Sequence, residues 1–351
     1  RQYALMAANF FQAQPEMIAA VTGTNGKTSV VAFLSQIWSG LGRKAASAGT
    51  LGITADGFES RIGLTTPDPA DLHRDLRELA LAGVDRLALE ASSHGLDQHR
   101  LDGVRVALGA FTNLTRDHLD YHGGMDDYRD AKLKLFTDIL DPSGTAVINA
   151  DGAGAGTVEA ACRDRGLKVM SHGQKGADVR LEKAESLADG HRLDLNVLGK
   201  AVQVLLPLVG GFQVSNALSA LTVALASGED AAQATGLLET LTGAPGRVQL
   251  AGRHPTGAPV YVDYAHTPDA LLNILQALRP HAKGRLHLVF GCGGDRDPGK
   301  RPEMGEIANA HTDRVIVTDD NPRTEDAALI RRQILAAAGE AVEIADRAEA
   351  I

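Results

Sequence analysis

A short glycine-containing segment near the start of the chain has the residue types of a phosphate-binding loop. Residues 21–29 read Val-Thr-Gly-Thr-Asn-Gly-Lys-Thr-Ser, directly after an apolar run and before a helical pattern that begins near Lys27. Gly23 and Gly26 have no Cβ atom, so backbone N–H groups can close around phosphate oxygens at a helix N-terminus. Lys27 would place its ammonium near the β- and γ-phosphates, and the Thr28 hydroxyl would ligate Mg²⁺. The segment predicts binding of a nucleoside triphosphate.

The loop departs from the usual P-loop pattern, G-x-x-x-x-G-K-[ST], at its first position. That pattern needs a glycine where this chain has Val21, so the loop is a shortened G-T-N-G-K-T variant. Thr24 and Asn25 lie between the two glycines and belong to the same predicted nucleotide site. The alternative is a glycine turn that only joins a strand to a helix. Lys-Thr after the second glycine has no structural necessity in such a turn, which favours nucleotide binding.

Two further groups of polar residues follow predicted strands. Glu90 comes after the apolar residues Leu87–Leu89, at a carboxyl edge where open α/β sheets bind ligands, and its carboxylate could hold a second Mg²⁺. A strand-end acid paired with an arginine is the alternative. The segment 112–122 reads Thr-Asn-Leu-Thr-Arg-Asp-His-Leu-Asp-Tyr-His. Its Asp117, His118, Asp120 and His122 could suggest zinc, but no cysteine or third imidazole accompanies them. A single imidazole beside a Mg²⁺–phosphate centre fits better.

The composition limits the class of protein. The chain has 351 residues, 44% hydrophobic and 23% charged, which is ordinary for a soluble globular protein of two domains. A formal net charge of −9 argues against sequence-independent nucleic-acid binding. The cysteines, Cys162 and Cys292, lie far apart without metal-ligand spacing, which indicates a reducing compartment. With no run of 18 apolar residues and no signal peptide, we expect a cytoplasmic protein without membrane insertion.

The order of predicted elements indicates an α/β fold. Strands alternate with helices, as in a doubly wound, largely parallel sheet, and the region from about 178 to 208 alternates as a hairpin with its turn at residues 189–190. The breaker cluster 242–246 suggests domains at 1–242 and 243–351. The second domain is expected to be a smaller Rossmann-like α/β unit. The predicted strands are 86–90, 104–111, 144–149, 260–263, 286–291, 314–318 and 341–344; the predicted helices are 27–41, 71–82, 126–139, 213–226 and 231–241.

Seven motifs in order give the chain a family resemblance. They are G-T-N-G-K-T, E-A-S-S-H-G-L, T-N-L-T-R-D-H-L-D-Y-H, the helix with Tyr128 and Lys132, G-x-F-Q-V-S-N at 210–216, D-Y-A-H-T-P at 263–268 and D-N-P-R at 320–323. Together they resemble the Mur ligases, ATP-dependent peptide-bond formers of cell-wall synthesis, and among these the ligases that add the third residue of the stem peptide. The resemblance implies a P-loop-type central ATPase domain, a monomer, and UDP-N-acetylmuramoyl-L-alanyl-D-glutamate as a substrate.

The resemblance also implies a metal centre with an unusual ligand. Lys132 matches a lysine that reacts with CO₂ in this family, and the resulting carbamate is a carboxylate that can attract Mg²⁺. Glu90, His118 and Thr28 match the other metal-side groups, with two Mg²⁺ sites expected. Without the resemblance, Lys132 would be read as an exposed cation on an amphipathic helix.

Other positions match the family's substrate and nucleotide contacts. The muramoyl dipeptide would contact Thr65, Thr66, Ser92, Gln98 and Arg100, and the nucleotide would contact Asn216, Arg247, Asp263 and His266. From the sequence alone, Asp263 could equally cap a helix, and the segment 65–68 could be a turn that leads into a helix.

The D-N-P-R motif carries the prediction of the amino-acid substrate. Arg323 is a guanidinium fork suited to the second carboxylate of meso-diaminopimelate, which lysine lacks. Asp320, Asn321 and Pro322 complete the motif, and Arg296 matches a further contact. A simple turn with a solvated arginine is the alternative.

Other functions stay open on the sequence alone: a lysine-adding Mur ligase, a folylpolyglutamate synthetase-like ligase, a GTPase or kinase, or a non-catalytic nucleotide-binding homologue. The resemblance also implies that the chain lacks the N-terminal domain of the family, except for its trailing edge within residues 1–16, and the end of the C-terminal domain.

Overall fold

A computed structural model describes residues 1–55, 57–58, 63–117 and 119–351, with only the backbone described for Leu119 and Asp120. The chain divides into two units. Unit 1 comprises Arg1–Glu185, His191–Leu208 and Phe212–Pro245. Unit 2 comprises Gly246–Ile351 together with two short segments from earlier in the chain, Ser186–Gly190 and Val209–Gly211.

A ten-stranded mixed sheet forms the centre of unit 1, in the order β10-β9-β8-β7-β6-β5-β1-β4-β2-β3. Strands β3, β9 and β10 run antiparallel to a neighbour, and the pairs that join β1, β2 and β4–β8 are parallel. The strands are β1 (Met17–Thr22), β2 (Ala45–Gly49), β3 (Gly52–Thr54), β4 (Arg86–Glu90), β5 (Val106–Phe111), β6 (Leu140–Asn149), β7 (Lys168–Gly173), β8 (Val179–Leu187), β9 (Gly190–Val197) and β10 (Lys200–Leu206).

The strand order reverses at β1, and this position determines where the site can form. Strand β1 pairs in parallel with β4 on one side and with β5 on the other. In the register, Val21 is opposite Glu90 of β4, and Thr22 is opposite Phe111 of β5. The carboxyl ends of these three strands therefore meet at a topological switch point, where open α/β sheets bind ligands.

Helices cover both faces of this sheet. Residues Ile18 and Ala20 of β1 pack in a core with residues of α3, whereas Ala19 and Val21 pack in a second core with residues of α2. Burial on both faces explains why β1 is an unbroken apolar run rather than an alternating one. The helices are α1 (Gln2–Phe11), α2 (Lys27–Gly40), α3 (Pro69–Leu81), α4 (Ser93–Asp97), α5 (Leu119–His122), α6 (Met125–Lys134), α7 (Ala155–Asp164), α8 (Gly211–Ala226) and α9 (Ala231–Gly236).

Unit 2 has its own sheet and its own core. Strands β13, β14 and β15 form a parallel sheet, and β11 and β12 form a separate antiparallel pair. The core includes Leu275, Phe290, Val317 and Ile334. The elements are β11 (Gln249–Arg253), β12 (Pro259–Val262), α10 (Pro268–Leu278), β13 (His287–Phe290), α11 (Lys300–His311), β14 (Arg314–Val317), α12 (Ala327–Leu335), β15 (Val342–Glu343) and α13 (Arg347–Ala350).

Most predicted elements are confirmed, with differences at their ends. The helix predicted at 126–139 is observed as α6 followed by a π-helical turn at Leu135–Ile139. The helix predicted at 231–241 is observed as α9 followed by a 3₁₀ turn at Leu237–Thr240. The strand predicted from residue 104 begins at Val106. The strand at 260–263 was expected in the doubly wound part of unit 2, but β12 forms a separate antiparallel hairpin with β11. The sequence put the domain boundary after residue 242, whereas the units divide between Pro245 and Gly246.

Within the described part of the chain, no helix combines the length and the apolar character needed to cross a membrane.

Candidate active site

The glycine loop between β1 and α2 leaves no room for side chains. Gly23 and Gly26 have φ values of 145° and 90°, which side chains rarely allow. A Cβ atom on Gly23 would lie 1.9 Å from Oγ1 of Thr112, and one on Gly26 would lie 2.3 Å from Oδ1 of Asn216. Helix α2 begins immediately afterwards at Lys27. The loop therefore has the tight turn, the bare backbone and the helix N-terminus that a phosphate cradle needs.

The Thr-Asn-Leu-Thr segment after β5 holds this loop in place. The Thr112 hydroxyl donates to the Asn25 carbonyl at 2.6 Å, and the Asn25 backbone N–H donates to Oδ1 of Asn113 at 3.0 Å. The Thr24 hydroxyl donates to the Thr115 carbonyl at 3.1 Å. Sequence reasoning did not assign these supporting roles, although it singled out the motif. The contacts join residues about 90 positions apart, and only the pairing of β1 with β5 brings them together.

Two lysine side chains converge on one carbonyl oxygen of the loop. Nζ of Lys27 donates to the carbonyls of Gly23 and Thr24, both at 3.0 Å, and Nζ of Lys132 donates to the Gly23 carbonyl at 2.9 Å. Lys132 is only 2% exposed. Burial, reinforced by the charge of Lys27 and opposed by Asp117, lowers the pKa of Lys132 to about 6. Its amine is therefore largely neutral at pH 7, and the alternative reading of Lys132 as an exposed cation is wrong.

The ring of Tyr128 packs against the side chain of Lys132. The two residues lie one turn apart on α6, and Nζ of Lys132 is 4.2 Å from the ring centroid of Tyr128. The Tyr128 hydroxyl donates to Oγ1 of Thr24 at 3.2 Å, which ties α6 to the glycine loop. Burial raises the pKa of Tyr128 to about 12, so the hydroxyl keeps its proton. The four-residue spacing to Lys132 was the available signal for this residue.

Glu90 ends β4 with its carboxylate inside the protein. The residue is 1% exposed, and its carboxylate oxygens accept from the backbone N–H of Thr50 at 2.9 Å and from the Thr50 hydroxyl at 3.2 Å. A Cβ atom on Gly49 would lie 2.2 Å from Oε1 of Glu90, so a glycine is needed there. Thr50 was not singled out from the sequence. These contacts come from Thr50 rather than from an arginine, so they do not support the alternative of a strand-end acid paired with an arginine.

The predicted metal ligands can be placed only in part. Thr28 lies in the first turn of α2 and is 7% exposed. His118 lies outside the described residues, as does the side chain of Asp120, so neither the predicted imidazole ligand nor the zinc alternative can be placed. His122 is buried, with Nε2 2.9 Å from Oγ of Ser93. Among the residues that the structure describes, no group of three or more His, Cys, Asp or Glu could hold a metal ion.

Four of the predicted substrate residues form one hydrogen-bonded group beside Glu90. Oγ1 of Thr66 donates to the Glu90 carbonyl and accepts from the backbone N–H of Ser92, both at 3.0 Å. Nη1 of Arg100 donates to the Thr66 carbonyl at 2.7 Å. The hydroxyl of Thr65 is 3.0 Å from that of Thr50, which itself donates to Glu90.

Gln98, the fifth predicted substrate residue, is held from two sides. Its Oε1 accepts from Nε of Arg100 at 3.0 Å, and its Nε2 donates to the hydroxyl of Tyr121 at 3.0 Å. Tyr121 in turn donates to Asp97 at 3.1 Å, and Lys134 donates to Asp97 at 2.7 Å. The hydrogen bond from Lys134, helped by Tyr121, lowers the pKa of Asp97. Tyr121, Asp97 and Lys134 were not assigned roles from the sequence.

The predicted nucleotide residues of unit 2 lie around Tyr264. The Arg247 guanidinium is 5.2 Å from the centroid of the Tyr264 ring, and the ring of His266 is 5.1 Å from it. Oδ2 of Asp263 accepts from the backbone N–H of Val248 at 2.8 Å, and Oδ1 accepts from the N–H of Ala265 at 2.8 Å. Asp263 thus organises a loop and does not cap helix α10, whose N-cap is Thr267.

The D-N-P-R motif follows β14 at the carboxyl edge of the unit 2 sheet. Arg323 has a φ of 49°, and its Nη1 donates to the carbonyl of Gly294 in the loop after the neighbouring strand β13. Oδ1 of Asn321 accepts from the backbone N–H of Arg323 at 3.1 Å. Arg296 and Asp320 are exposed on the same two loops. The motif is thus a turn, as its alternative reading expected, and the turn places Arg323 against the neighbouring loop.

Comparisons with known proteins agree with this arrangement. Residues 21–224 match the model of the Mur ligase middle domain, and residues 246–351 match that of the Mur ligase, glutamate ligase domain. The chain belongs to the Mur ligase family. Mur ligases are ATP-dependent and generally use Mg²⁺, so this member is an ATP-dependent ligase, and the reading as a non-catalytic homologue loses its support.

Individual relatives cover almost the whole chain. A relative from Bradyrhizobium diazoefficiens, named UDP-N-acetylmuramoyl-L-alanyl-D-glutamate--2,6-diaminopimelate ligase, is 54% identical over 100% of this chain and 73% of its own length. A solved structure of a ligase of the same name is 36% identical, with a TM-score of 0.76 over 99% of this chain and 72% of its own. Folylpolyglutamate synthase from Thermotoga maritima has a TM-score of 0.79 over 99% of this chain and 87% of its own at 18% identity, which reflects a shared fold.

Proposed function

We propose that this protein is the ligase that joins meso-diaminopimelate to the D-glutamate carboxylate of UDP-N-acetylmuramoyl-L-alanyl-D-glutamate at the expense of ATP. The observation that carries the proposal is the 54% identity, over the whole chain, to a relative named for this reaction. The location of Arg323 at a sheet edge supports it, because a guanidinium can bind the carboxylate that distinguishes diaminopimelate from lysine. The protein is proposed to act in the cytoplasm as a monomer, without a nucleic-acid partner.

The nucleotide is proposed to bind with its phosphates in the glycine loop. The loop residues from Gly23 to Thr28 would surround the β- and γ-phosphates, and Asn216 lies against Gly26 on the same side of unit 1. On unit 2, Arg247, Asp263 and His266 are assigned to the adenosine. The flat face of Tyr264, 62% exposed, is suited to stack on a base.

The donor set fits Mg²⁺ when nucleotide phosphates complete it. Mg²⁺ prefers hard oxygen ligands and usually takes one or two protein carboxylates together with phosphate oxygens and waters. The Glu90 carboxylate, at the end of β4, and the Thr28 hydroxyl, in the first turn of α2, are such oxygens, and both residues are buried. His118 and a Lys132 carbamate complete the proposed set, with two ions expected. Bound Mg²⁺ would offset negative charge on the phosphates.

Lys132 is proposed to carry the carbamate because its surroundings keep the amine neutral. Only an unprotonated amine adds CO₂, and burial beside Lys27 lowers the pKa of Lys132 to about 6. The product would be an anion next to the Lys27 ammonium, so the neighbour that disfavours the lysine cation would favour the carbamate. This charge relation supports carbamylation at this position.

The reaction proposed for these residues has two steps. The D-glutamate carboxylate attacks the γ-phosphorus of ATP, the bond to the β,γ-bridging oxygen breaks, and an acyl phosphate and ADP form. Lys27 stabilises the transferring phosphoryl group, and the loop backbone orients it. The diaminopimelate amine then attacks the acyl carbon, phosphate leaves from the tetrahedral intermediate, and the amine proton passes to solvent. Thr65, Thr66, Ser92, Gln98 and Arg100 are proposed to orient the muramoyl dipeptide.

One assay separates this function from the alternatives. Phosphate release would be measured with ATP and the muramoyl dipeptide, with diaminopimelate or lysine as the amine. We expect release that depends on all three substrates and prefers diaminopimelate. The variant Arg323→Ala should lose most of that preference, by roughly tenfold or more. Phosphate release that occurs with lysine but not with diaminopimelate as the amine would indicate a lysine-adding ligase. Phosphate release with a folate in place of the muramoyl dipeptide would indicate a folylpolyglutamate synthetase.

A further inference from the structure

A buried arginine that the proposed reaction does not use connects two loops of unit 2. The first loop, residues 291–297, follows β13 and is called the β13 loop; the second, residues 318–325, follows β14 and is called the arginine loop. Arg301 lies in α11 and is 0% exposed, although it carries a full positive charge. Such complete burial is rare for arginine and requires partners.

The partners of Arg301 come from both loops and from a helix. Its guanidinium makes a bidentate pair with Glu325 of the arginine loop, with Nη1 2.9 Å from Oε2 and Nη2 2.8 Å from Oε1. Nη1 also donates to Oε1 of Gln333 on α12 at 2.7 Å, and Nη2 donates to the Gly293 carbonyl of the β13 loop at 3.4 Å. The hydrogen bonds from Arg301 lower the pKa of Glu325, which stays ionised. The pair is therefore a charged cross-link between the loops.

Further contacts set the two loops against each other in one register. The backbone N–H of Gly294 donates to the Asn321 carbonyl at 2.9 Å, and the Thr324 hydroxyl donates to Oδ1 of Asp295 at 2.6 Å. A Cβ atom on Gly294 would lie 1.9 Å from the Pro322 carbonyl oxygen, so the backbones are in direct contact. Arg323 completes the set by donating to the Gly294 carbonyl. The orientation of Arg323 thus depends on the position of the β13 loop.

A need for stability alone does not explain this arrangement. Burying an ion pair costs desolvation energy, and well-packed apolar residues of similar volume usually stabilise a protein as well or better. What a bidentate pair supplies is a defined geometry between the elements it joins.

We propose that Arg301 and Glu325 are positioning residues that fix the β13 loop against the arginine loop and so orient Arg323 toward the carboxylate of the amino-acid substrate. The proposal rests on the proposed function, because it assigns the pair to amino-acid recognition by that same site. Arg301 itself does not touch the substrate. It acts by removing loop positions in which Arg323 would miss the carboxylate, which lowers the cost of binding.

The test is a split of kinetic constants in the intact natural protein with Arg301→Lys, which keeps the charge but cannot form the bidentate pair. We expect the KM for diaminopimelate to rise about tenfold, while the KM for ATP changes less than about twofold. Preference for diaminopimelate over lysine should fall by a similar factor. A role in folding alone would lower the active fraction, so kcat would fall and every KM would stay unchanged. That result would overturn the proposal.

Two further variants keep the outcome decisive if Arg301→Lys folds poorly. Thr324→Val removes an exposed loop-to-loop hydrogen bond and should raise the same KM about threefold without loss of folding. Arg279→Met removes the exposed ion pair with Asp313, where Nη1 is 2.6 Å from the carboxylate, and should leave all constants unchanged. An unchanged KM in Thr324→Val and Arg301→Lys would also sink the proposal. Wild-type protein that releases no phosphate with diaminopimelate would instead refute the proposed function.

Discussion

At the scale of single residues, the site is organised around one carbonyl oxygen. Both Lys27 and Lys132 donate to Gly23, so two side chains that are cations in water share one acceptor. Only Lys132 is buried, and its pKa falls to about 6. Because like charges at close range disfavour each other, the pair favours one ammonium and one neutral amine. The neutral amine is the group that can react with CO₂.

The first prediction concerns Lys132→Met, which keeps the length of the side chain and removes the amine. Activity should fall by at least about a hundredfold, and added bicarbonate should not restore it, since the carbamate cannot form.

The same variant should change the stability of the protein. The pKa of Lys132 falls from 10.5 to about 6 on folding. The free energy of unfolding of the protein with an unmodified Lys132 should therefore fall as the pH decreases from 10.5 to 6. Without nucleotide at pH 7, Lys132→Met should unfold at a higher temperature than the unmodified wild type.

Its control is Lys168→Met on an exposed position of β7, which should keep full activity. The carbamate itself would be detected by carbon NMR after incubation with labelled CO₂. An active Lys132→Met enzyme, or a carbamate signal that persists in it, would remove Lys132 from the proposed metal set.

The second prediction concerns the pH dependence of stability through His172. The residue is the penultimate residue of β7 and is 0% exposed, with Nε2 2.7 Å from Oγ of Ser219 on α8. Burial lowers its pKa from 6.5 to about 4, and the charge of Asp151 opposes this shift. The unfolded state therefore binds more protons between pH 6.5 and 4, and stability falls as pH decreases. From pH 7 to 4.5 this residue should account for about 2–3 kcal/mol.

Urea unfolding of His172→Leu at both pH values would measure this contribution. The difference between the two pH values should shrink by the stated amount relative to wild type, whatever the absolute stability of the variant. His254→Leu, at an exposed position, should leave the difference as it is. An equal pH response in His172→Leu and wild type would contradict the prediction, because it would mean that folding does not lower the pKa of His172.

At the scale of elements, the strand–loop–helix unit β1–α2 depends on two glycines with different neighbours. Gly23 is closed in by Thr112 from the loop after β5, and Gly26 is closed in by Asn216 from α8. The cradle is therefore a joint product of three elements. A substitution in the loop must disturb either its own backbone or a neighbouring element.

The third prediction compares Gly26→Ala with Gly42→Ala. Both glycines have positive φ, 90° and 80°, but a Cβ on Gly42 would meet nothing within 4 Å. Gly42→Ala should therefore cost only the backbone strain, about 1–2 kcal/mol, and leave ATP binding intact. Gly26→Ala adds a clash with Asn216 and should cost at least about 3 kcal/mol and weaken ATP binding at least tenfold. Calorimetric titration that shows equal ATP affinity in the two variants would contradict the assignment of the cradle.

The predicted and observed elements show what a local pattern can reveal. The cradle, β4 and β5 were predicted because apolar runs ended at polar motifs, which is local information. Strand β2 was missed, since Ala-Ala-Ser-Ala-Gly carries no β-branched residue. The roles of Tyr128 and Arg301 depend on contacts between distant elements, Tyr128 to Thr24 and Arg301 to Glu325, and periodicity does not encode such pairings.

At the scale of the whole molecule, the breaker cluster located the main division within a few residues, but not the two earlier segments that belong to unit 2. The reason is visible at His281 in unit 2. Its Nδ1 lies 2.6 Å from the Leu187 carbonyl, and its Nε2 accepts from the backbone N–H of Gly210 at 3.0 Å. These contacts join a hairpin tip, Ser186–Gly190, and a helix start, Val209–Gly211, to a distant part of the chain. Neither short segment has a sequence pattern that predicts them.

The final prediction follows from the separate cores of the two units. Leu34 is fully buried in a core of unit 1, and Ile334 is fully buried in the core of unit 2. Truncating either side chain leaves a cavity and should cost about 2–5 kcal/mol within its own unit. Because multi-domain chains often unfold in more than one step, calorimetry without nucleotide should show two transitions, of which Leu34→Ala lowers one and Ile334→Ala lowers the other. Hydrogen exchange would assign each transition to β1 or β14. If both variants shifted one common transition equally, the two units would unfold as a single cooperative structure.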